Sequence, residues 1–323
     1  MVYLTKMKKY RCIDLTKKYK SILYNHYTLG GIKYMNTELR NTTDILEDYL
    51  SYIQDDKQVK KVRTGFNKLD NLLNGGLPNG LITLGAIPSL GKTTFALQVA
   101  DNMASMENTK VLFFSLEMTR FDIISKSLSR LSYLTDELEN YTFDDLLSNN
   151  DDVDFTTLLS KYEPIANNLY TIDYIYDIRD IEAFIRQFND LHKNKNIIVI
   201  IDYLQYILCG NNGNDKQVID TITKRLKELA KDLNICIIEI SSLNRTNYSG
   251  SITMESFKES GSIEYTSDIL MGLEYVNNGA NEREYEAKRN PRKITLSVIK
   301  NRYGALGKIN FDFYTTYHTF IEK

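Results

Sequence analysis

The sequence predicts an α/β fold built on a mostly parallel β-sheet. Strand-like and helix-like patterns alternate from about Leu81 onward, as in chains whose parallel strands are joined by crossover helices. The runs Ile197–Ile201 and Ile235–Ile238 are apolar without alternation, which is typical of central strands covered on both faces. A tight loop through Gly91 joins an apolar strand to an amphipathic helix. These three observations favour an α/β sheet that carries an anion-binding loop at one strand end.

Each element is predicted from its own local pattern. Strands are predicted at short apolar runs, and helices where apolar residues repeat every three or four positions. The predicted strands are Leu81–Gly85, Val111–Ser115, Ile197–Ile201, Ile235–Ile240, Ile269–Tyr275, Ile294–Lys300 and Ile309–Tyr314. The predicted helices are Thr93–Ser105, Arg120–Leu131, Ile178–His192 and Lys216–Leu233. The last two strands follow one another without a helix, which predicts an antiparallel pair at one edge of the sheet.

Composition limits the class of protein. At 323 residues, the chain is long enough for one large domain and an appendage. Lys+Arg number 40 against 42 Asp+Glu, so any contact with nucleic acid must use locally placed charges. Cys12, Cys209 and Cys236 lack the paired spacing of a zinc site and indicate a reducing compartment. No run has the length of a membrane span or the character of a signal sequence, so we expect a cytoplasmic protein that does not contact a membrane.

The sequence predicts three regions along the chain. Residues 1–40 are rich in Lys and Tyr and give no assignable pattern. Residues 41–62 are expected to hold a linker helix, Asp44–Ile53, followed by a charged linker. This short amphipathic helix either caps its own domain or docks on a neighbouring subunit. Residues 63–323 are expected to form the main domain.

The loop between the first strand and helix has the pattern of a nucleotide phosphate site. Backbone N–H groups of such a loop and the positive end of the helix dipole face the anion. Lys92 can reach the β- and γ-phosphates of ATP, and the Thr93 hydroxyl can hold Mg²⁺. The strict pattern has glycine where this chain has Ala86. The residues assigned to nucleotide binding in this loop are Ala86, Ser89, Gly91, Lys92, Thr93 and Thr94.

Two carboxylates follow predicted strands at the same edge of the sheet. Asp202 ends an apolar strand, where it can organise Mg²⁺ beside the phosphate loop. The next residue is Tyr203, so a general base must come from another strand. Glu117 follows the strand Val111–Ser115 and can polarise the attacking water. Alternatively, Glu117 caps the helix that begins near Thr119 or faces solvent.

Polar residues at two further strand ends are candidates for sensing and catalysis. Ser241, Ser242 and Asn244 can sense the γ-phosphate, or these residues merely end the strand. Lys300 and Arg302 alternate along the chain and therefore project to the same side. Two such cations suit a polyphosphate bound by an adjacent subunit, as arginine fingers do. The pattern alone favours a simpler interpretation, a solvated, charged strand end.

In their order and spacing, the motifs resemble the C-terminal motor domain of DnaB-type replicative helicases, a branch of the RecA-like ATPases. The resemblance covers about Asp44 to Phe313, and the family's own phosphate loop carries alanine where Ala86 stands. The matching segments are Thr64–Asp70, Ala86–Thr93, Ser115–Met118, Ile201–Gln205, Leu243–Arg245, Lys258–Glu264 and Lys300–Gly304. The resemblance implies a RecA-like P-loop NTPase core with a short helical N-terminal appendage.

The same resemblance implies a function and partners. It implies a homohexameric ring that hydrolyses ATP with Mg²⁺ and moves along single-stranded DNA during replication, with a primase or a loader as partner. By analogy Lys300 and Arg302 act across the subunit interface as catalytic residues, with Lys92 and Glu117 in the subunit that binds ATP. The DNA-binding residues implied are Lys216, Arg245, Lys258 and Gly261, and such contacts follow phosphates without reading sequence.

Departures from the family pattern leave alternatives open. Ser242 stands where the family usually has Gln, and Lys258 where Arg is usual. Only about 60 residues precede the motor, so we expect the helical collar domain to be absent and a phage or mobile-element origin. One alternative is a RecA- or RadA-like recombination ATPase that forms filaments. The other is a DNA-binding or loading subunit that uses ATP as a switch with little turnover.

Overall fold

A computed structural model describes residues 41–46, 49–50, 61–148, 151–210, 214–243, 252–257, 261–276 and 280–323. The chain divides into two units, Met1–Asp55 and Asp56–Lys323. In the first unit, Thr43–Ile45 form a 3₁₀ turn, followed by helical residues at Leu46, Tyr49 and Leu50. The rest of the predicted helix, residues 47–48 and 51–53, lies outside the described residues.

The second unit is organised around a large, mostly parallel sheet. Its described strands, in chain order, are β1 Lys61–Val62, β2 Leu77–Pro78, β3 Gly80–Ala86, β4 Thr109–Ser115, β5 Leu169–Ile172, β6 Asn196–Asp202, β7 Cys236–Ser242, β8 Ile269–Tyr275, β9 Arg292–Asn301, β10 Gly307–Tyr314 and β11 Thr319–Glu322. β1 and β2 pair with each other, and the remaining strands lie in the order β11-β10-β9-β8-β3-β7-β6-β4-β5. The six strands from β8 to β5 are mutually parallel, and β9, β10 and β11 add an antiparallel extension. Every predicted strand is therefore present, and the predicted antiparallel pair is confirmed.

Helices cover both faces of this sheet. In chain order the described helices are α1 Asn67–Leu72, α2 Lys92–Ala104, α3 Arg120–Leu134, α4 Phe143–Leu147, α5 Phe155–Ala166, α6 Ile178–Leu191, α7 Asp215–Leu233, α8 Gly261–Thr266 and α9 Ala280–Ala287. Two hydrophobic clusters separate the layers. One packs α2 against one face, around Phe95, and the other packs α6 and α7 against the opposite face, around Ile185 and Leu226. The alternating directions of side chains along each strand supply both clusters.

Several elements differ from the sequence prediction. Lys61 and Val62 were assigned to the linker, but they pair with Leu77–Pro78, and Val62 is buried in the core. The short strands β5 and β11 and the helices α4, α5 and α9 were not predicted. α5 contains Pro164, a residue that argues against a helix when only the sequence is read. Among the described residues, none of the helices combines the length and the apolar character that crossing a membrane requires.

Candidate nucleotide-binding site

A cavity of about 480 Å³ opens where the carboxyl ends of the parallel strands meet. In open α/β sheets, ligands bind at this edge because the loops and helix N-termini that follow the strands converge there. The lining residues are Pro88, Ser89, Gly91, Lys92, Thr93, Thr94, Glu117, Met118, Lys126, Tyr203, Ser242, Arg292, Phe313, Thr315 and His318. The cavity thus gathers the predicted phosphate loop together with side chains from β4, β6, β7, β9 and β10.

The loop between β3 and α2 is shaped by two residues with positive φ. Gly91, at φ +86°, is the N-cap of α2, and Ser89 has φ +64°. A Cβ atom added at Gly91 would lie 2.8 Å from the ring of Phe313, closer than such atoms normally approach. Glycine is therefore required here both by the backbone conformation and by the aromatic ring packed behind the loop. The first turn of α2 presents free backbone N–H groups to the cavity.

Lys92 crosses the floor of the cavity. Its Nζ donates to the Ala86 carbonyl at 3.4 Å and to the Ser242 hydroxyl at 3.2 Å, and it lies 5.6 Å from the Tyr203 ring centroid. Burial lowers the pKa of Lys92, an effect that the carboxylates of Asp202 and Glu117 oppose. The ammonium group is thus poorly solvated and has a neutral hydroxyl and a carbonyl as its direct partners. This arrangement favours an incoming anion.

Asp202 ends β6 deep in the same site. It is 1% exposed, and neither carboxylate oxygen has a hydrogen-bond partner in the described part of the chain. Burial raises the pKa of Asp202 to about 6, while the nearby Thr93 hydroxyl favours the charged form. A buried carboxylate without partners is costly unless a cation compensates it. Two hard oxygen donors, from Asp202 and Thr93, therefore face a region in which a cation would be stabilised.

Glu117 lies at the rim of the cavity, just beyond β4. Its side chain is exposed, and it is not the helix cap considered above, because Thr119 caps α3 in a reciprocal pair with Asp122. The turn that carries Glu117 is held by the Ser115 hydroxyl, which donates to the Met118 carbonyl at 2.6 Å. Glu117 is thus available to contact a water or ligand in the cavity.

Of the predicted sensor residues, Ser242 lies beside the loop, and Asn244 lies outside the described residues. Ser242 ends β7 and accepts the hydrogen bond from Lys92, which ties the end of β7 to the first residue of α2. The side chain of Ser241 points to the other face of the sheet and accepts a bond from Gln205 at 3.4 Å. Thr94 is buried in the first turn of α2. Every residue predicted for nucleotide binding is therefore in or next to this cavity.

Lys300 and Arg302 lie elsewhere. β9 is antiparallel to β8, and the register pairs Asn301 with Ile269 and Ile269 with Ile82. Ile82 is four residues before Ala86, so the end of β9 is about 13 Å from the phosphate loop along the strand direction alone. The two cations project together, as predicted, but from the end of the sheet opposite to the phosphate loop.

Both cations are held by the end of α8. Lys300 Nζ donates to the Glu264 carbonyl at 2.6 Å, and Arg302 donates to the Tyr265 carbonyl at 2.8 Å. Arg302 also pairs with the buried carboxylate of Asp268 at 3.2 Å. Their common partners are thus the last carbonyls of a short helix, where cations are favoured by the helix dipole.

Comparison with known proteins agrees with this geometry. The model of the DnaB-like helicase C-terminal domain matches residues 61–322. The chain belongs to this family. It is 32% identical over 283 residues to the replicative DNA helicase DnaB of Pasteurella multocida, which covers 85% of this chain and 58% of the relative. It is 29% identical over 297 residues to DnaB of Geobacillus stearothermophilus, which covers 87% of this chain and 62% of the relative.

A solved structure of a DnaB-like replicative helicase, titled with its interactions with primase, matches with a TM-score of 0.73. The two are 24% identical, and the match covers 87% of this chain and 68% of the other. At this identity the match supports the RecA-like fold of the family. The chain spans about 60% of the length of the two curated relatives.

The predicted DNA-binding residues of this DnaB-like domain are only partly described. Lys216 is exposed in the first turn of α7, and Gly261 begins α8. The two helix starts are neighbours, because the Ser262 amide donates to the Asp220 carboxylate at 3.3 Å. Arg245 and Lys258 lie outside the described residues. The two described residues therefore begin neighbouring helices.

Three basic residues of the cavity were missed by the sequence analysis. Lys126 on α3 lines the cavity, and burial lowers its pKa, opposed first by the carboxylate of Asp202. Lys126 could have been noticed in the sequence, because it is a lysine between Ile123 and Arg130 on a helix face that is largely buried. Arg292 and His318 come from the antiparallel extension, and no motif links them to the loop. Burial lowers the pKa of His318 to about 3, so its imidazole is neutral.

Proposed function

We propose that this chain is the ATP-hydrolysing motor of a replicative DNA helicase, which forms a ring and moves along single-stranded DNA. The observation that carries the proposal is the buried, unpartnered carboxylate of Asp202 beside a phosphate loop whose lysine contacts Ser242. Membership of the DnaB-like family supports the same activity. The proposal extends to the whole assembly, of which this chain supplies at least the ATPase domain.

The residues of the cavity fit ATP with Mg²⁺. Asp202 and Thr93 offer oxygen ligands, and one or two protein ligands suffice because Mg²⁺ keeps water molecules and binds phosphate oxygens. The described residues include no cluster of three or more acidic, His or Cys side chains that could hold a metal alone. When bound, the metal would neutralise charge on the phosphates. Lys92 would bind the β- and γ-phosphates, and Glu117 would orient the attacking water.

The cations of β9 fit a site shared between subunits. Lys300, near the end of β9, and Arg302, just beyond it, lie at the end of the sheet opposite to the cavity, so they cannot serve the nucleotide of their own subunit. In a closed ring they would face the cavity of the next subunit, as the family resemblance implies. There they would stabilise the charge that develops on the transferred phosphoryl group. We propose a homohexamer on this basis.

The same carbonyls link these cations to the proposed DNA path. α8 begins at Gly261, beside Lys216, and ends at the carbonyls that hold Lys300 and Arg302. We propose that Lys216, Arg245, Lys258 and the backbone at Gly261 follow the phosphates of single-stranded DNA. A displacement of α8 on DNA binding would then shift both trans-acting cations. A primase or a loader is a proposed partner, since a similar helicase structure is titled with its interactions with primase.

DNA-stimulated ATP hydrolysis tests the proposal. The wild-type chain should hydrolyse ATP with Mg²⁺, and single-stranded DNA should raise the rate. Lys92→Ala should bind nucleotide poorly and lose hydrolysis, because the residue that reaches the β- and γ-phosphates is gone. Lys288→Ala is a matched control: this exposed lysine, just beyond α9, forms an ion pair with Glu284, and its replacement should leave both rates unchanged. Absence of hydrolysis in the wild type, with or without DNA, would contradict the proposal.

The contact between Ser242 and Lys92 favours one second candidate function. The short Ser242 hydroxyl accepts a hydrogen bond from Lys92, so it is less free to report the loss of a γ-phosphate. A DNA-binding or loading subunit that uses ATP as a switch would bind ATP tightly but turn it over slowly. Tight binding of an ATP analogue together with negligible DNA-stimulated hydrolysis would favour this second function.

A further inference from the structure

Arg292 is a cation in the cavity that the proposed mechanism does not use. It is the first residue of β9, where it pairs in register with Phe313 of β10. Its Nη1 donates to the carbonyl of Ser89, in the phosphate loop, at 2.9 Å. Both Arg292 and Phe313 line the cavity. A guanidinium group is therefore fixed against the loop that is predicted to hold the phosphates.

The fold alone does not account for this arginine. Its Nε is buried and has no hydrogen-bond partner among the described residues. A buried donor without a partner destabilises the folded state, so the bond to Ser89 alone does not explain an arginine at this position. An arginine is useful at such a place when a ligand with several acceptor oxygens joins it, because its planar group binds phosphates at two points.

The sheet order tells which part of the nucleotide Arg292 faces. The phosphate loop follows β3, and Ser242, Asp202 and Glu117 come from β7, β6 and β4 on one side of it. Arg292 comes from β9, on the other side of β3, together with Phe313. The γ-phosphate belongs with the proposed metal ligand and water-orienting residue. Arg292 therefore faces the portion of the nucleotide on the other side, which ATP and ADP share.

We propose that Arg292 binds the diphosphate portion of the nucleotide held by its own subunit. The inference rests on the proposed function, since it takes the cavity to be an ATP site. It gives β9 two roles at its two ends: Arg292 contacts the nucleotide of its own subunit, while Lys300 and Arg302 reach that of a neighbour. One strand then joins two successive nucleotides.

Binding of ADP and of a non-hydrolysable ATP analogue tests this inference. Arg292→Gln should weaken both ligands by the same factor, about tenfold or more, the loss expected when hydrogen bonds to a charged group are removed. It should raise KM for ATP and leave kcat near the wild-type value, because the contact is equal in the ground state and the transition state. Arg292→Lys, which keeps the charge but not the planar group, should give an intermediate affinity. Lys288→Ala should bind like the wild type.

Unchanged affinity for ADP in Arg292→Gln would overturn the inference, as would a loss confined to the ATP analogue, which would assign Arg292 to the γ-phosphate. Melting without nucleotide should stay near the wild-type value in Arg292→Gln, whereas a role confined to holding the loop through the Ser89 carbonyl predicts a lower value, which would also overturn the inference. Lys92→Ala distinguishes the two proposals. If Lys92→Ala loses nucleotide and Arg292→Gln does not, only the inference about Arg292 fails. If Lys92→Ala binds normally, the proposed function itself fails.

Discussion

Replacing Glu239 with glutamine should make the free energy of unfolding less dependent on pH. Glu239 is fully buried in β7, where one carboxyl oxygen accepts a bond from the Thr83 hydroxyl at 2.7 Å and the other has no partner among the described residues. Burial raises the pKa of this carboxyl group to about 8. The folded protein therefore keeps a neutral glutamic acid at the centre of its sheet, and glutamine imitates that form.

The sign and size of the effect follow from proton linkage. The pKa of Glu239 is raised in the folded state above its ordinary value of 4.5. Between these values the unfolded chain releases the proton and the folded chain keeps it, so stability falls as pH rises until the folded group also ionises. One proton changes the unfolding free energy by about 1.4 kcal/mol per pH unit. From about pH 5 to about pH 7, the wild type should lose on the order of 2 kcal/mol relative to Glu239→Gln.

Urea unfolding at a series of pH values measures this difference. The chain contains no tryptophan, so far-ultraviolet circular dichroism is the suitable signal. Because other groups titrate in both proteins, the informative quantity is the difference in unfolding free energy between wild type and variant at each pH. The control Glu228→Gln removes an exposed carboxylate from α7 and should show no such trend. A Glu239→Gln difference that stays constant with pH would refute the reasoning.

Two further predictions concern the cavity. Burial raises the pKa of Asp202 to about 6, so above that pH Asp202→Asn should melt at a higher temperature than the wild type when no nucleotide is added. The variant should also lose the stabilisation that Mg²⁺ and ATP give the wild type. A lower melting temperature of the variant without nucleotide would contradict this account. Gly91→Ala should be destabilised by about 1–3 kcal/mol in urea unfolding and bind ADP weakly, because the residue has φ +86° and its new Cβ would meet Phe313 at 2.8 Å. Gly75→Ala is its control, since Gly75 has φ +109° but a Cβ there would meet only one atom of the described residues within 4 Å, and it should leave ADP binding unchanged.

The elements that sequence patterns predicted are those with strong local signals. The buried strands β6 and β7 are long apolar runs, and α6 repeats apolar residues on one face, so their periodicity survives without tertiary information. β5 and β11 have four residues each, too few for a period to be recognised. α5 is helical despite Pro164, because Leu158 and Tyr162 are buried in a small separate cluster. Tertiary packing there outweighs the local preference.

The residues of the candidate site also fall into two groups, those that the sequence predicted and those that only the fold brings to the cavity. Lys92, Thr93 and Asp202 lie next to strand ends, and parallel strands bring their carboxyl ends together by rule, so spacing along the chain predicted their meeting. Arg292 and His318 reach the cavity through the register of antiparallel strands, which no spacing in the sequence reveals. Lys300 and Arg302 were predicted to act together, and the topology adds that they lie at the far edge. Their proposed role therefore requires a second subunit.

The central claim is that two subunits complete each catalytic site, and a mixing experiment tests it directly. Lys92→Ala and Arg302→Ala proteins are each expected to be inactive alone, the first lacking the phosphate-binding lysine and the second the cation offered to its neighbour. In mixed rings, some interfaces pair an intact Lys92 with an intact Arg302, so ATP hydrolysis should reappear and vary with the mixing ratio. No recovery at any ratio, or an Arg302→Ala protein as active as the wild type, would contradict the shared site.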